Sequence, residues 1–342
     1  MKNYSTFKKH FINLFVFCLF LLYGCAPKQI VKKEEPQKPT KYEWVEQTLA
    51  RLSLEEKISQ MILSRSYGYY YSSKSEQYWL LHHLVEGHKI GGLIFFQGDV
   101  YETAEMINRC QEWSDIPLLV AADFEWGSAM RIRRGTRFPE AMAVGATRDT
   151  LLAYQMGKVI GKETRAMGIH QNYAPVADVN NNPDNPVINT RSFGEDPKLV
   201  AEMACAFTSG MQSENVLATA KHFPGHGDTH VDSHIDLPSV NVSRSRLDSL
   251  ELYPFRELFK RNVASVMVAH LTVPSIDSTK GLPSTLSKPF ITGLLKQELG
   301  YTGLIVTDAL DMGAIVNKFG SDSTAIFAVE AGTDVLLILP DE

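Results

Sequence analysis

The sequence predicts an α/β chain whose main part folds as a (β/α)8 barrel of the TIM type. From Tyr42 onward, short apolar segments alternate with longer stretches of helical periodicity, which is the pattern of parallel strands joined by crossover helices. The sequence contains eight such segments, and this number favours a closed barrel over an open sheet. The predicted strands span 60–63, 91–96, 118–122, 171–175, 217–221, 264–269, 303–307 and 334–339.

Two predicted helices have clear boundary signals. The segment 53–56, Ser-Leu-Glu-Glu, has the form of a capping box, and Ser287 precedes Pro289 and an apolar helical pattern that Gly300 closes. The eighth predicted strand ends close to Glu342, so the sequence lacks the helix expected after it. Either the barrel lacks its last helix, or the natural protein continues, for example into a second domain.

The N-terminus has the form of a bacterial export signal. Three lysines precede the apolar segment 11–22, which is too short for a confident membrane span. The segment 22–25, Leu-Tyr-Gly-Cys, resembles a lipobox, in which the cysteine receives lipid and becomes the mature N-terminus. We therefore expect removal of 1–24 and lipidation of Cys25, which predicts a periplasmic or outer-membrane lipoprotein. An ordinary signal peptide with an incidental cysteine is the alternative.

The next segment and the overall charge exclude some classes of function. Residues 25–41 are rich in Lys, Glu, Pro and Gln, which predicts a flexible tether. The formal charge is −5, and loss of 1–24 removes three lysines and no acids, which makes it −8. A chain of that sign is a poor binder of nucleic acid.

Cys110 and Cys205 allow one disulfide but no CxxC metal site, and we expect buried thiols.

Polar side chains occur at the ends of five successive predicted strands. In a (β/α)8 barrel, the C-terminal ends of the strands face one mouth, where catalytic residues gather. We therefore expect these side chains to reach a common cavity. They are Asp123 after the third strand, Asn172 within the fourth, Lys221 and His222 at the end of the fifth, His270 after the sixth and Asp308 after the seventh.

Four histidines are spaced four residues apart in the segment 221–234, KHFPGHGDTHVDSH. On a helix, this spacing would place the imidazoles on one face and suggest a metal site. Pro224, Gly225 and Gly227 argue against a helix, so we expect a mobile loop and no metal. The histidines are His222, His226, His230 and His234.

Two acidic positions suggest acid/base and nucleophilic chemistry. In extended backbone, the side chains of Asp232 and His234 point to the same side, so the carboxylate can orient the imidazole as a general acid/base. A surface Asp–His pair is the alternative.

Asp308 follows an apolar strand directly, where a carboxylate can act as nucleophile at an acetal carbon, although a structural role is equally open. Asp311 is expected to be an acid at a helix N-terminus.

Five motifs make the chain similar to a known family. They are LSLEEKISQM (52–61), FPEAMAVGAT (138–147), NYAPVADVNNNPDNPVINTRSFGEDP (172–197), KHFPGHGDTHVDSH (221–234) and VTDALDMGAI (306–315). Across about 44–340, the chain resembles glycoside hydrolase family 3, specifically its β-N-acetylglucosaminidase (NagZ-type) branch. The KHFPGHGDT segment followed by Asp-Ser-His is the specific feature, since the β-glucosidase branch places its acid/base carboxylate in a second domain.

The resemblance implies a catalytic barrel over 42–342 and a retaining glycosidase that needs no metal or other cofactor. It makes Asp308 the nucleophile, His234 the acid/base and Asp232 its orienting partner. The implied substrates are N-acetylglucosaminides such as muropeptides or chitooligosaccharides. The residues it implies in substrate binding are Asp123 and Arg131, toward hydroxyls on the nonreducing side, and Arg191, Lys221 and His222, around the N-acetylglucosamine ring.

One departure from the family pattern concerns the mouth. The usual DxEGG motif is DFEWG at 123–127, so Trp126 replaces a glycine and either adds a stacking surface or narrows the site. A histidine acid/base avoids placing a second carboxylate near anionic substrates, which also predicts that phosphate can intercept the intermediate. The alternatives are a β-glucosidase or xylosidase of the same family, a glycan-binding lipoprotein without catalysis, and a module of a longer protein.

Overall fold

The structure is a computed structural model that describes residues 41–233 and 236–340. The predicted signal peptide, Cys25, the tether up to residue 40 and His234 lie outside the described residues. The helix α1, Lys41–Arg51, belongs to a separate unit, and the compact unit that contains the barrel begins at Leu52. Within the described ranges, no helix combines the length and apolar character needed to cross a membrane.

Within the residues that the structure describes, nine strands form the sheet. Eight of them match the eight predicted segments in position and order, and one short strand was not predicted. The strands are β1 (Ile62–Gly68), β2 (Gly92–Asp99), β3 (Leu119–Ala122), β4 (Ile132–Arg133), β5 (Gln171–Asn172), β6 (Leu217–Phe223), β7 (Ser265–Val268), β8 (Leu304–Thr307) and β9 (Leu336–Leu337).

The strands pair in parallel around a barrel. Their order is β8-β7-β6-β5-β3-β2-β1-β9, and the short β4 pairs with β2 outside this path. A parallel bridge between Val306 and Val335 joins the β8 and β9 ends of that order. The predicted fold class, a (β/α)8 barrel, is therefore confirmed.

Helices cover the outside of the barrel, and successive side chains of a strand point alternately into two hydrophobic cores. On β2, Leu93 and Phe95 join the large core between strands and helices, whereas Ile94 packs inside the barrel with Leu63 and Met267. The α-helices of the barrel unit are α2 (Leu54–Ser59), α3 (Glu76–His82), α4 (Val100–Trp113), α5 (Ala141–Ala146), α6 (Thr150–Ala166), α7 (Pro197–Gln212), α8 (Arg244–Ser249), α9 (Tyr253–Lys260), α10 (Gly313–Phe319) and α11 (Ser321–Ala331).

The two predicted helix starts are confirmed. Ser53 caps α2, and Glu56 completes the capping box by accepting a hydrogen bond from the backbone N–H of Ser53 at 2.8 Å. After Ser287, the segment Pro289–Glu298 forms a helix of the π type, and Gly300 follows it with φ at +65°. The positive φ suits glycine, which has no Cβ to clash in this conformation.

Two predicted strands differ in extent for local reasons. The first was predicted at 60–63, but Gln60 caps α2 through its backbone N–H, so β1 starts two residues later and runs to Gly68. The fourth was predicted at 171–175 but is only Gln171–Asn172. Pro175 has no N–H to donate to a ladder, which fits the early end of this strand.

Both described cysteines are free and buried, as the sequence predicts. Burial raises the pKa of the Cys110 thiol to about 12 and that of Cys205 to about 11. A thiol with so high a pKa is a poor nucleophile at neutral pH. Neither cysteine is therefore a candidate for chemistry.

Candidate active site

A cavity of about 540 Å³ opens at the C-terminal ends of the barrel strands. Its size is typical of small-molecule sites. Six of the residues predicted for catalysis or substrate binding line it. They are Asp123, Arg131, Arg191, Lys221, His222 and Asp308.

Lys221, at the end of β6, is the centre of the charged network. Its Nζ lies 2.8 Å from Oδ1 of Asp123 and 2.8 Å from Oε1 of Glu125. Burial by itself would lower the pKa of Lys221, but the two carboxylates outweigh burial and raise the pKa. Arg131 contacts the other oxygen of Asp123 at 3.2 Å. Asp123 is thus held between two cations, with its carboxylate fixed toward the cavity.

Glu125 and Arg191 form a bidentate ion pair beside this cluster. Nη2 and Nε of the guanidinium donate to the two carboxylate oxygens at 2.7 and 3.0 Å. Burial would raise the pKa of Glu125, but Lys221 and Arg191 hold it far below its usual value. Nη2 of Arg191 also lies 3.3 Å from Nε2 of His222. The pair therefore links β3 to the predicted sugar-binding residues.

Asp178, on the segment after β5, holds the start of the loop after β6. Its Oδ2 lies 2.7 Å from Nδ1 of His222 and accepts the backbone N–H of the same residue at 3.1 Å. Its Oδ1 accepts the backbone N–H of His226 at 2.6 Å. Burial would raise the pKa of Asp178, but its contacts with His222 and His226 lower it. The carboxylate fixes the His222 ring so that Nε2 faces Arg191.

Asp308 follows β8 and lines the cavity, as predicted from its strand-end position. Its backbone N–H donates to the carbonyl of Val268 at 2.9 Å, and its Oδ1 accepts the backbone N–H of Ala309 at 2.9 Å. Burial would raise the pKa of Asp308, but the charges of His222 and His270 outweigh burial. The Asp308 carboxylate therefore has a lowered pKa and is ionised at neutral pH.

The segment 224–233, after β6, contains no helix, in agreement with the sequence prediction. The rings of His222 and His226 lie 6.1 Å apart at 73° and do not stack. In the part of the chain that the structure describes, no group of three or more His, Cys, Asp or Glu residues is placed to hold a metal ion. The His226 side chain instead forms hydrogen bonds with Thr229 and Ser233 of the same loop.

Two asparagine side chains of the segment after β5 and one contact within the loop hold it in place. Nδ2 of Asn185 donates to the carbonyl of His226 at 2.9 Å, and Nδ2 of Asn182 donates to the carbonyl of Thr229 at 2.8 Å. Nε2 of His226 lies 3.1 Å from Oγ of Ser233, which itself lines the cavity. The middle residue of the Asp-Ser-His triplet therefore lies at the cavity wall, and the half-buried Asp232 precedes it.

Two predicted cavity residues have structural roles instead, so the prediction is wrong for them. Asn172 exchanges hydrogen bonds with the backbone of Phe124, accepting its N–H at 2.8 Å. His270 is fully buried, with Nδ1 2.6 Å from the Thr285 hydroxyl and Nε2 2.8 Å from the carbonyl of Ala309. The strand-end pattern does not distinguish these positions, because side chains there can also bond to the backbone of adjacent loops.

Asp311 differs from its predicted role. It lies two residues before α10, but its carboxylate forms an ion pair with Arg65 of β1. Both residues line the cavity. Because the two residues are far apart in sequence, no local pattern could have predicted the pair.

Three further residues belong to the site, and two of them, Glu125 and Asp178, were given no role from the sequence. Trp126, the departure from the family motif, lines the cavity. Glu125 lies two residues after Asp123. In extended backbone, this spacing points both side chains to the same side, so the sequence did contain a signal for Glu125. Asp178 lies in the quoted motif 172–197, but only the fold shows that it reaches His222.

A parallel (β/α)8 barrel with an ionised carboxylate and fixed charged groups at its mouth fits an enzyme of the glycosidase class. The chain belongs to glycosyl hydrolase family 3, since the N-terminal domain of that family matches residues 53–342. The expectation of a glycoside hydrolase is thereby confirmed at the level of the family.

Named relatives are similar over most of this chain. Beta-hexosaminidase A of Pseudoalteromonas piscicida is 40% identical over 281 residues, which is 75% of this chain and 47% of that protein. A beta-N-acetylglucosaminidase/beta-glucosidase of Cellulomonas fimi is 30% identical over 303 residues, 86% of this chain and 52% of that protein. The chain thus spans about half the length of these two relatives.

A solved structure agrees with the sequence relatives. The family 3 beta-N-acetylglucosaminidase of Paenibacillus sp. str. FPU-7 superposes with a TM-score of 0.79 at 42% identity. The alignment covers 84% of this chain and 55% of that one. The structural similarity therefore covers most of this chain.

Proposed function

We propose that this protein is a retaining glycosidase that releases terminal nonreducing β-N-acetylglucosamine from oligosaccharides. The observation that carries the proposal is the ionised carboxylate of Asp308 at the cavity wall, directly after β8. An oxocarbenium-like transition state is stabilised by a negative charge beneath the anomeric carbon. The names of the two relatives and of the solved structure support the 2-acetamido sugar as substrate.

In the proposed first step, Asp308 attacks C1 and the bond between C1 and the leaving oxygen breaks. His234 donates its proton to that oxygen, so the aglycone departs as a neutral alcohol. In the second step, His234 removes a proton from water, the water oxygen attacks C1, and the Asp308 carboxylate is released. Two displacements retain the configuration at C1.

Asp232 orients His234 in this proposal. The support is indirect, because it comes from the neighbouring residue: Ser233 lies at the cavity wall, held by His226. A segment without helix can deliver the imidazole to the leaving oxygen and then withdraw it for product release.

The charged cluster provides the proposed binding groups for the sugar. Lys221 and Arg131 fix Asp123 as an acceptor for hydroxyl groups, while Arg191 presents N–H donors and His222, which accepts one of them at Nε2, lies beside it. Buried charged groups that are already paired need little reorganisation when a hydroxyl binds. We therefore assign these five residues to recognition of the ring that is released.

Paired aryl β-glycosides with and without the 2-acetamido group test the proposal. We expect the N-acetylglucosaminide to be cleaved with a much higher kcat/KM than the glucoside or xyloside. A higher kcat/KM for the glucoside would favour the β-glucosidase alternative, because the Cellulomonas fimi relative is named as both a beta-N-acetylglucosaminidase and a beta-glucosidase. Binding of the sugar without cleavage of any substrate would favour a non-catalytic glycan-binding lipoprotein.

We further propose that Cys25 anchors the protein to the cell envelope. Its support is the lipobox-like segment 22–25, which follows a basic and apolar leader. Fractionation of cells that express the wild type or Cys25→Ala tests it. We expect the wild type in the membrane fraction and the variant in the soluble fraction; the same distribution for both would contradict the anchor.

A further inference from the structure

A pair of tyrosines lies at the lip of the barrel, outside the charged cluster. On β1, Leu63 packs in the barrel interior, Arg65 lines the cavity, and Tyr67 comes next on the same face. These three positions therefore rise in order from the barrel floor to its mouth. Tyr67 is 37% exposed, so its ring meets solvent where the cavity ends.

The second ring extends this surface along the lip. Tyr69 has its ring nearly parallel to that of Tyr67, at 11° and 6.4 Å between centroids. Its hydroxyl lies 3.4 Å from Oε1 of Gln97, just after the cavity residue Phe96 on β2. We call Tyr67 and Tyr69 the tyrosine ledge. It adjoins the cavity through Arg65, because Tyr67 interacts with the guanidinium of this cavity residue.

Physical chemistry favours a sugar ring as the occupant of the ledge. The flat face of a β-linked pyranose consists of C–H groups, which pack on aromatic faces, while its hydroxyls stay in water. The tyrosine ledge offers such faces in near-parallel orientation beside the cavity. Packing in the hydrophobic core does not account for this exposed aromatic ring, because Tyr67 does not belong to the hydrophobic clusters of the described residues.

We infer that the tyrosine ledge is a binding subsite for the sugar rings on the leaving-group side of the cleaved bond. This inference rests on the proposed function, in which the released ring occupies the charged cluster. The ledge is at the outer lip, so only rings beyond the cleaved bond can reach it. The substrate class is therefore an oligosaccharide of β-linked N-acetylglucosamine, rather than the disaccharide alone.

The charge around the ledge favours neutral rings. Tyrosine is uncharged at neutral pH, and the charge of the adjacent Arg65 is balanced by Asp311 in an ion pair. A lactyl carboxylate on the leaving ring would gain little attraction from this lip. The test must therefore compare muropeptides with neutral oligomers as substrates.

Kinetics on N-acetylglucosamine oligomers of increasing length provide the test. For the wild type, we expect KM to fall as the oligomer lengthens. Tyr67→Ala should raise KM for the trimer about tenfold, equivalent to about 1.4 kcal/mol, and should change KM for methyl N-acetylglucosaminide, whose leaving group carries no ring, far less. Tyr67→Phe keeps the ring and should behave as the wild type. Tyr70→Ala is the matched control, because Tyr70 is 70% exposed but has no ring contact with the ledge.

Several results would overturn the inference. An equal loss on the methyl glycoside and the trimer would show that Tyr67 acts only through the cavity. A KM that does not depend on oligomer length in the wild type would exclude the subsite. A Tyr67→Ala effect that is larger for a muropeptide disaccharide than for the neutral trimer would exclude the preference for neutral rings.

A binding measurement separates failure of this inference from failure of the proposed function. Asp308→Asn should leave the trimer intact, so its Kd can be measured by calorimetry with and without Tyr67→Ala. We expect about tenfold weaker binding in the double variant. If the wild type cleaves no glycoside, the proposed function fails, while this Kd ratio still reports on the ledge; equal Kd values would overturn the ledge.

Discussion

Nε2 of His226 lies 3.1 Å from the hydroxyl oxygen of Ser233, and both side chains are buried. The hydroxyl of Thr229 donates to the carbonyl of His226 at 3.0 Å, which leaves its oxygen to accept from Nδ1 at 2.7 Å. In this arrangement, Nε2 accepts the proton of Ser233. Burial lowers the pKa of His226, so the neutral ring that this arrangement needs is favoured.

Removal of this hydrogen bond should weaken catalysis more than binding. For Ser233→Ala we expect kcat on an unactivated disaccharide to fall about fivefold, because a lost hydrogen bond is worth about 1 kcal/mol. An aryl substrate with a good leaving group needs less help from the acid and should be affected less. His230→Ala, exposed on the same loop, is the control. Equal losses on both substrates, or in both variants, would contradict a positioning role.

Loss of the Glu125 charge should destabilise the fold. Glu125→Gln leaves Lys221 and Arg191 buried with less compensating charge, so we expect the free energy of unfolding to drop by about 3 kcal/mol. Urea denaturation measures this change. Glu195→Gln, at an exposed position, is the control and should change the free energy by less than about 0.5 kcal/mol. A similar small change for Glu125→Gln would contradict the account of the charged network.

Stability should also fall with acid. The pKa values of Glu125, Asp178 and Asp308 are lowered in the folded state, so the unfolded chain takes up protons first as pH falls. Their contribution is complete above the unfolded values of about 4 and is lost as pH drops toward the folded values. We expect the free energy of unfolding to decline below about pH 4, less steeply in Glu125→Gln than in the wild type. Parallel curves for the two proteins would exclude this contribution of Glu125.

Tyr173 provides a prediction in which stability and activity change in opposite directions. It is fully buried and lines the cavity, and its hydroxyl has no hydrogen-bond partner among the described residues. Burial raises its pKa well above the usual value, and Asp123 and Asp308 add to this shift. The hydroxyl therefore remains a donor that a bound sugar can use.

For Tyr173→Phe we expect the free energy of unfolding to rise by about 1 kcal/mol, because an unpaired buried polar group is removed. We expect kcat/KM to fall about fivefold. The matched control is Tyr301→Phe, whose hydroxyl donates to the carbonyl of Val263 at 3.1 Å. That variant should lose stability and keep its kinetics. If Tyr173→Phe behaves like Tyr301→Phe, the hydroxyl has a structural partner and no role in the cavity.

The fold could be predicted from the sequence because its signals are local. Apolar segments at regular intervals marked eight of the strands, and the Ser53 capping box marked a helix start. The short β4 was missed, because two residues, Ile132–Arg133, show no alternation. Two strand limits were also predicted wrongly. Gln60 caps a helix, and Pro175 has no N–H for a strand ladder. A pattern of hydrophobic residues contains neither kind of information.

The site was predictable in its residues but not in its connections. Strand-end positions and motifs brought Asp123, Lys221 and Asp308 to one cavity, as expected. The same positional rule failed for His270, whose ring bonds to Thr285 and a backbone carbonyl. The ion pair of Asp311 with Arg65 joins distant parts of the chain, and such pairs depend on tertiary structure alone.

Phosphate should compete with water for the proposed intermediate. The cavity presents Lys221 and Arg191, although both are paired with carboxylates, and the proposed histidine acid/base adds no further carboxylate to repel an anion. In phosphate buffer, we expect N-acetylglucosamine 1-phosphate beside the free sugar, in a proportion that rises with phosphate concentration. Product analysis by mass spectrometry measures it. Free sugar alone at every concentration would contradict this prediction.

The nucleophilic role of Asp308 is the central claim, and mass spectrometry of the trapped protein tests it most directly. A slowly hydrolysed fluorinated N-acetylglucosaminyl substrate should add one sugar unit to the protein, and peptide mapping should place that unit on the Asp308 carboxylate. Asp308→Asn should show no adduct and no turnover. Turnover of the substrate with the adduct on a different carboxylate, or with full activity in Asp308→Asn, would contradict the proposed mechanism.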